Sequence, residues 1–209
     1  NAELAAAVAN PLRDKDRARD IYRKPAETLT FFQITPDMKV GEYAPGGEWY
    51  SRLLGLYLGP KGKLVGLYFD PASGAFNEAQ QKGIRDGAAK YPADIAGWSG
   101  IPADRFSAYT LDAVPAAEKG TFDRIVVMRM MHNLLRWNIA DREIKAMRDH
   151  GYSKEFAVGV TAASSGCGLR SPGVTTRVWL PLPAPSHCTP AALSWATVLF
   201  VAIATASSF

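Results

Sequence analysis

Short apolar runs alternate with amphipathic stretches through most of the first 150 residues. Apolar runs of about four to eight residues are typical of strands that are buried on both faces of a parallel sheet. Such runs predict strands over 38–43, 63–69, 106–111, 124–131 and 156–161. Apolar residues at helical spacing and local helix signals predict helices over 14–23, 26–32, 49–58, 77–90 and 138–149. This alternation of strands and helices indicates an α/β domain with a doubly wound, mainly parallel sheet.

The domain organisation follows from where this alternation stops. Residues 11–160 are predicted to form one Rossmann-like domain, incomplete or atypical at its C-terminus, with a loop-rich segment over 91–102. The alanine-rich residues 1–10 are expected to be disordered or removed by processing. Only 4 of the last 59 residues are charged, whereas the first 150 contain 40 of the 44 charged residues. Residues 161–209 are therefore expected to be a charge-poor tail, either disordered or hydrophobic.

The end of this tail is its most apolar part. Residues 191–209 contain no charged side chain, and their length meets the rough threshold of ~18 residues for a membrane span. Serine and threonine interrupt the stretch and no basic flank follows it, so membrane association is not expected except through this segment. The only two cysteines, Cys167 and Cys188, fit no common metal pattern. The sequence leaves a disulfide, and a cytoplasmic or periplasmic location, open.

Charge and composition exclude one class of partner. Hydrophobic residues make up 47% of the chain and charged residues 21%, which is ordinary for a globular protein. The net charge is only +4, and basic residues are interleaved with acids, as over 13–17. No basic stripe is present, and nucleic acid is therefore not expected as a partner.

The stretch 39–50 contains the most informative local pattern. Pro45, Gly46 and Gly47 interrupt a predicted strand, and apolar residues at helical spacing resume at Trp49. A strand, a glycine-rich turn and a helix together present backbone N–H groups to a ligand at the helix N-terminus. An ordinary tight turn of an α/β protein remains the alternative.

Three acidic residues lie at or just after the ends of successive predicted strands. They are Glu42, Asp70 and Asp112. In an open parallel sheet the carboxyl ends of the strands line the ligand crevice. An acid after the second strand is well placed to accept hydrogen bonds from a ribose diol. Taken singly, Asp70 and Asp112 are better explained as turn or cap residues, but the three together indicate a nucleoside ligand.

The residues around the turn distinguish between nucleoside cofactors. A dinucleotide site typically carries the pattern G-x-G-x-x-G, which is absent here. Glu42 would lie close to a pyrophosphate and would repel it. A ligand with an ammonium or sulfonium group would meet no such repulsion. The sequence therefore favours S-adenosylmethionine over NAD.

Several motifs carry a resemblance to a known family. They are Asp20-Ile-Tyr-Arg-Lys-Pro25, Glu42-Tyr-Ala-Pro-Gly-Gly-Glu-Trp-Tyr50, Asp70, Leu111-Asp112-Ala113, and Phe122-Asp123-Arg124 continuing to Arg129-Met-Met-His-Asn133. On these motifs, over roughly 11–149, the chain resembles class I S-adenosylmethionine-dependent methyltransferases. It is most similar to a group of predicted bacterial methyltransferases that are often exported.

The resemblance implies roles for individual residues in cofactor binding. The residues that would hold the methionine part of S-adenosylmethionine are Glu42, Pro45, Gly46 and Gly47. By the same resemblance, Asp70 would bind the ribose hydroxyls and Asp112 would face the adenine. Arg129 would contribute to the cofactor site from the end of the fourth strand.

The resemblance also implies a substrate side. His132 and Asn133 would lie where an acceptor enters, while Tyr22 and Arg23 would cover the site as a lid. The acceptor is expected to be a small molecule. His132 is the natural general base because its unperturbed pKa lies near neutrality. The alternatives are a structural role for His132, a capping role for Asn133, and core packing for Trp49 and Tyr50.

Two departures from the family motivate a second hypothesis. Glu48 stands where the family usually has a third glycine, so its side chain and charge are expected to crowd the cofactor. After Asp149 no family-like continuation is visible. The expected function is a methyltransferase reaction by in-line displacement, and the alternative is a degenerate, non-catalytic protein that binds a ligand or partner.

Overall fold

The protein is described by a computed structural model, which covers residues 1–46, 48–150, 156–163 and 197–204. The strands are β1 (Lys39–Tyr43), β2 (Lys63–Tyr68), β3 (Phe106–Thr110), β4 (Arg124–Met128), β5 (Phe156–Ala163) and β6 (Thr197–Ala204). The α-helices are α1 (Ala2–Ala9), α2 (Asp20–Arg23), α3 (Pro25–Phe31), α4 (Trp49–Leu58), α5 (Glu78–Ser99), α6 (Met131–Arg136) and α7 (Ala140–His150).

The strands form one sheet in the order β3-β2-β1-β4-β5-β6. All neighbouring pairs are parallel except β5 and β6, which are antiparallel. The strand order reverses between β1 and β4, the position at which α/β sheets bind ligands. The doubly wound, mainly parallel sheet expected from the sequence is confirmed.

Two hydrophobic clusters cover the two faces of the sheet. On one face Val40, Leu64 and Val126 pack against α4, α5 and the N-terminal helices. On the other face Val65 and Val127 pack with residues that include Leu134 and Met147 from α6 and α7. Because successive side chains of a strand point to opposite faces, β1 sends Glu42 towards α5 and Tyr43 towards α7.

The N-terminal segment over residues 1–10 is helical and not disordered, whereas its removal by processing stays a prediction. It forms α1, in which Leu4 and Ala7 are buried in the core. The side chain of Asn1 accepts hydrogen bonds from the first backbone N–H groups of the helix and donates one to Tyr57 Oη. Apolar contacts and the N-cap therefore stabilise α1 against the domain. The alanine content of this segment does not by itself predict these contacts.

Helix α5 is longer than expected and includes most of the segment predicted to be loop-rich. It begins with a capping box between Asn77 and Gln80 and continues through Pro92 to Ser99. Tyr91 and Ile95, one turn apart, are both buried. Packing of this face against the sheet outweighs the backbone hydrogen bond lost at the proline.

Other boundaries are set by side-chain contacts and by the backbone at strand ends. The helix expected over 14–23 is replaced by short 3-10 turns and the four-residue α2. The fourth strand ends at Met128 rather than at 131, because Arg129 has a left-handed backbone conformation with φ of 59°. That conformation does not continue a strand, and α6 begins two residues later, at Met131.

Part of the expected C-terminal tail belongs to the sheet. Residues 197–204 form β6 and pair with β5 over its full length. The remaining residues of the tail, including Cys167 and Cys188, lie outside the described residues. Among the described residues, no helix is long and apolar enough to cross a membrane.

Candidate functional site

The turn after β1 has an unusual backbone. Ala44 and Glu48 are both left-handed, with φ of 50° and 56°, a conformation that favours glycine. The N–H of Ala44 donates a 2.7 Å hydrogen bond to the carbonyl of Leu67 in β2. Pro45 is half-buried and Gly46 is exposed, while Gly47 lies outside the described residues. Strained residues of this kind cluster at functional sites.

The turn leads into an N-terminus of α4 that lacks a side-chain cap. Glu48 is the N-cap residue, and its side chain accepts no hydrogen bond from the helix. Instead its carboxylate lies 3.4 Å from Arg52 Nη1 and is about half exposed. The expected crowding of the cofactor by Glu48 stays a prediction. The first N–H groups of α4 can donate hydrogen bonds to an anionic group of a ligand.

Glu42 lies in the core beneath this turn. It is 3% exposed, and its Oε2 accepts a 3.1 Å hydrogen bond from the hydroxyl of Tyr91. Burial raises the pKa of Glu42 to about 7, although Ser51 and Tyr91 lower it and the charge of Glu48 raises it further. The Ser51 hydroxyl lies close enough to Glu42 to lower its pKa. Its geometry does not meet the criteria for a hydrogen bond. A ligand cation near Glu42 would stabilise the ionised form.

Asp70 occupies the turn after β2 and is 8% exposed. Its Oδ1 accepts a 2.8 Å hydrogen bond from the N–H of Ala72, and its Oδ2 contacts the guanidinium of Arg142. Its own backbone N–H donates to Glu143 Oε1 at 3.3 Å. Asp70 is therefore a turn residue, which was one of the two explanations that the sequence offered. Its carboxylate also lies near the carboxyl end of β2.

Glu143 is a buried acid that sequence reasoning missed. It lies on α7 at 0% exposure, and its Oε2 accepts a 2.8 Å hydrogen bond from the hydroxyl of Tyr43. Burial raises the pKa of Glu143 to about 7, while the hydrogen bonds from Tyr43 and Asp70 lower it. An acid in a charged amphipathic helix looks solvent-exposed in the sequence. Its one signal is its spacing of four residues from Ile139 and from Met147, both of which are buried.

The residues after β4 occupy the neighbouring part of the same edge. Arg129 is exposed and His132 is exposed on α6. The Asn133 amide accepts a 2.9 Å hydrogen bond from Arg136 and donates to Met130 Sδ. Asn133 lies inside α6, whose N-cap residue is Met130. The proposed roles of Asn133, His132 and Arg129 stay predictions.

The N-terminal region packs against the start of α4, and the expected lid role of Tyr22 and Arg23 stays a prediction. The guanidinium of Arg23 lies 4.7 Å from the ring centre of Trp49 and 5.3 Å from that of Tyr50. Burial lowers the pKa of Arg23. Tyr22 is 76% exposed. Trp49 and Tyr50 are buried in the core, which confirms the packing alternative for both.

A second group of contacts fixes the same region and was also missed. Trp49 Nε1 donates to the carbonyl of Asp16 at 3.0 Å, and the Asp16 carboxylate accepts from Arg52 Nε at 2.7 Å. Arg13, fully buried, binds Asp20 through both terminal nitrogens and lies 5.0 Å from the Trp49 ring centre. Trp49 is thus in contact with guanidinium groups of Arg13 and Arg23.

The predicted acids lie at or just after the carboxyl ends of three neighbouring parallel strands. Glu42 is in β1, Asp70 follows β2 by two residues, and Asp112 lies in the short 3-10 helix after β3, where it is exposed. Because β1 to β3 are parallel, their carboxyl ends lie on the same side. The arrangement suits a ligand with a cationic end near Glu42 and hydroxyl groups near Asp70. Among the described residues, no cluster of three potential metal ligands is present.

Comparison with known proteins gives a structural likeness only. No protein-family model matches the chain, and no curated protein sequence does. An S-adenosylmethionine-dependent methyltransferase from Aquifex aeolicus superposes with a TM-score of 0.50 at 15% identity, covering 74% of this chain and 72% of that one. An S-adenosylmethionine-dependent O-methyltransferase from Thermotoga maritima has a TM-score of 0.48 at 11% identity, covering 90% of this chain and 66% of that one.

The likeness to the Aquifex protein agrees with the strand order and the parallel pairing of β1 to β5. At this identity it establishes the fold. The chain therefore has the Rossmann-like fold of class I S-adenosylmethionine-dependent methyltransferases, as the sequence resemblance implied.

Proposed function

We propose that this chain is a methyltransferase that uses S-adenosylmethionine and transfers a methyl group to a small-molecule acceptor. The observation that carries the proposal is the buried carboxyl of Glu42, which lies close to Ser51 in the first turn of α4, a helix whose N-terminus has no side-chain cap. An acid next to a positive helix end complements the amino acid part of the cofactor, which has an ammonium and a carboxylate. A pyrophosphate has no group that would be favoured beside Glu42.

The remaining residues fit the other parts of the cofactor. Asp70 keeps one unused lone pair on each oxygen after its contacts with Ala72 and Arg142, so it can still accept the two hydroxyls of a ribose. Asp112, at the end of β3, lies at the edge where the adenine would extend. The nearby aromatic rings of Phe69, Phe76 and Trp137 pack on one another with centres 5.2 to 5.6 Å apart, and they close the loop that carries Asp70.

The chemistry divides between cofactor and protein. S-adenosylmethionine supplies an activated methyl group on a sulfonium. The protein then has to orient the acceptor in line with that methyl group and exclude water. His132, exposed on α6 after β4, is proposed to remove the proton of the acceptor. Arg23 of α2 packs on the ring of Tyr50 in α4, and both residues are proposed to border the acceptor site.

The non-catalytic alternative is favoured by one specific observation. Asn133, proposed beside His132, has its amide oxygen occupied by Arg136, so it does not present that oxygen to a substrate in this conformation. A protein that binds the cofactor without transferring its methyl group would have the same Glu42 and Asp70 contacts. The two functions therefore differ in turnover, not in binding.

Calorimetric titration with S-adenosylhomocysteine tests the shared binding step. We expect saturable binding that Glu42→Gln and Asp70→Asn each weaken at least tenfold, on the order of 1.4 kcal/mol. The matched control is Asp86→Asn, which removes an acid from an exposed ion pair with Lys82 and should leave the affinity unchanged. No binding by a folded wild-type chain, or equal binding of NAD, would contradict the proposal.

Turnover then separates the enzyme from the binding protein. Label transfer from S-adenosylmethionine to a mixture of small phenols, amines and carboxylic acids should be detected and should decrease in His132→Ala. Binding without transfer to any acceptor class would support the non-catalytic alternative.

A further inference from the structure

Two consecutive residues of α7 hold the same aspartate from two directions. The guanidinium of Arg142 contacts Asp70 Oδ2. The next residue, Glu143, accepts a 3.3 Å hydrogen bond from the backbone N–H of Asp70. Helix α7 therefore holds both the side chain and the backbone of Asp70, although Arg142 and Glu143 follow Asp70 by more than 70 residues. Arg142 is half exposed, whereas Glu143 is fully buried.

Glu143 also connects this turn to the end of β1. Its second oxygen accepts a 2.8 Å hydrogen bond from the hydroxyl of Tyr43, the last residue of β1. The ring of Tyr43 packs edge-on against Phe69, with centres 5.4 Å apart, and Phe69 directly precedes Asp70. Both oxygens of Glu143 therefore have donors, and both donors belong to segments that carry the proposed cofactor contacts.

Burying the Glu143 carboxylate costs free energy of folding, and an apolar residue would fill the same space without that cost. Replacing a buried ionic network by apolar residues of similar volume is often neutral or stabilising, so an acid in the core has to be explained by something other than stability. The donors of Glu143 lie on β1 and on the turn after β2, whose relative position sets the distance between Glu42 and Asp70. Burial raises the pKa of Glu143 to about 7, which shows how unfavourable the site is for a charge.

We infer that Glu143 is a positioning residue that fixes Asp70 for recognition of a ribose diol, and that it acts together with Tyr43 and Arg142. This inference rests on the proposed cofactor function. One hydrogen bond of Glu143 holds the backbone N–H of Asp70 and the other holds the hydroxyl of Tyr43 in β1, while Arg142 contacts the Asp70 carboxylate. The Asp70 carboxylate is then already oriented when it binds the two ribose hydroxyls, and this preorganisation lowers the entropic cost of binding.

The test uses 5′-methylthioadenosine, which has the adenine and ribose but lacks the amino acid part. Calorimetry should show that Glu143→Gln, which leaves one amide oxygen for two donors, binds about tenfold more weakly, as expected for a hydrogen bond to a charged group. Tyr43→Phe, which keeps the ring and removes one donor, should weaken binding in the same direction. The matched control is Lys145→Ala on the exposed face of α7, which should bind as the wild type does.

A double-mutant cycle separates positioning from a general structural effect. If Glu143 acts through Asp70, Glu143→Gln should cause no further loss of affinity in an Asp70→Ala background. An equal loss in both backgrounds would overturn the inference. If Glu143→Gln does not fold, the same cycle with Tyr43→Phe decides the outcome.

The two proposals fail in different ways. If the folded wild type binds neither 5′-methylthioadenosine nor S-adenosylhomocysteine, the proposed function is overturned, and this inference with it. If the wild type binds and both Glu143→Gln and Tyr43→Phe bind equally well, only the positioning role is overturned.

Discussion

The hydroxyl of Tyr91 donates a 3.1 Å hydrogen bond to Glu42, from a helix that begins 36 residues after that strand residue. The contact is made over Gly66, which lies beside Glu42 in the register of β1 and β2. A Cβ at Gly66 would be 3.1 Å from two ring atoms of Tyr91. Because Gly66 has no side chain, the Tyr91 ring can pack against the backbone of β2, and its hydroxyl reaches Glu42.

The affinity for the cofactor should increase with pH between 6 and 8. The pKa of Glu42 in the free protein is about 7, and its ionised form is the one that attracts an ammonium. At pH 6 only about a tenth of Glu42 is ionised, so binding of S-adenosylhomocysteine should be roughly tenfold weaker than at pH 8. Calorimetry across this range measures the effect, and Glu42→Gln should remove it. A flat wild-type profile would contradict the assignment.

The free energy of unfolding should decrease as the pH rises from about 4.5 to 7. Burial raises the pKa of both Glu42 and Glu143 from 4.5 to about 7. An acid with a raised pKa in the folded state contributes its stability below the unfolded pKa and loses it as pH rises through the folded pKa. Urea unfolding should therefore show a loss between pH 4.5 and 7, on the order of 2 kcal/mol per group. Glu143→Gln should show a smaller loss over the same range.

Gly66→Ala should destabilise the protein and disturb Tyr91. The added methyl group would lie 3.1 Å from the Tyr91 ring and 3.3 Å from Ala108 Cβ, and such overpacking costs about 1–3 kcal/mol. The matched control is Gly83→Ala in α5, where nothing lies within 4 Å and a gain of up to about 1 kcal/mol is expected. Urea unfolding of both variants checks this, and equal stability of the two would contradict it.

Arg13→Met should destabilise the protein by about 3 kcal/mol, because it removes one partner of a buried ion pair. Arg13 is fully buried, and it also donates a 2.7 Å hydrogen bond to the carbonyl of Val8. Arg17→Ala is the matched control, since Arg17 and its partner Asp14 are largely exposed and a change below about 1 kcal/mol is expected. Thermal unfolding compares the two. A small effect for Arg13→Met would mean that the N-terminal segment contributes little to the core.

Glu48→Gly should stabilise the protein and strengthen cofactor binding. Glycine adopts the left-handed backbone of this position without the cost, about 1–2 kcal/mol, that a side chain incurs. Glycine loses part of that gain through the entropy of the unfolded chain. The change also removes a negative charge that raises the pKa of Glu42. Glu48→Ala removes the charge and keeps the strain, so it should strengthen binding without increasing stability. Weaker binding in both variants would show that Glu48 itself contacts the ligand.

Several features of the site could be predicted from local sequence. Glu42, Asp70 and Asp112 were assigned to one edge because each is at or near the end of an apolar run, and parallel strands bring such positions together. Helix α5 was predicted too short, and Pro92 and three glycines within it locally oppose a helix. Burial of Tyr91 and Ile95 against the sheet outweighs that local preference, and a single sequence does not show which surface a helix will meet.

The alternation of strands and helices, the turn after β1 and the acids at the strand ends can be predicted from the sequence, since each depends on neighbouring residues. The partners of buried acids cannot be predicted in this way, because they come from distant parts of the chain. Tyr91, Glu143 and Asp16 reach their partners across 49, 100 and 33 residues. Such contacts depend on strand register and on the position of each helix over the sheet, and these are results of packing the whole domain.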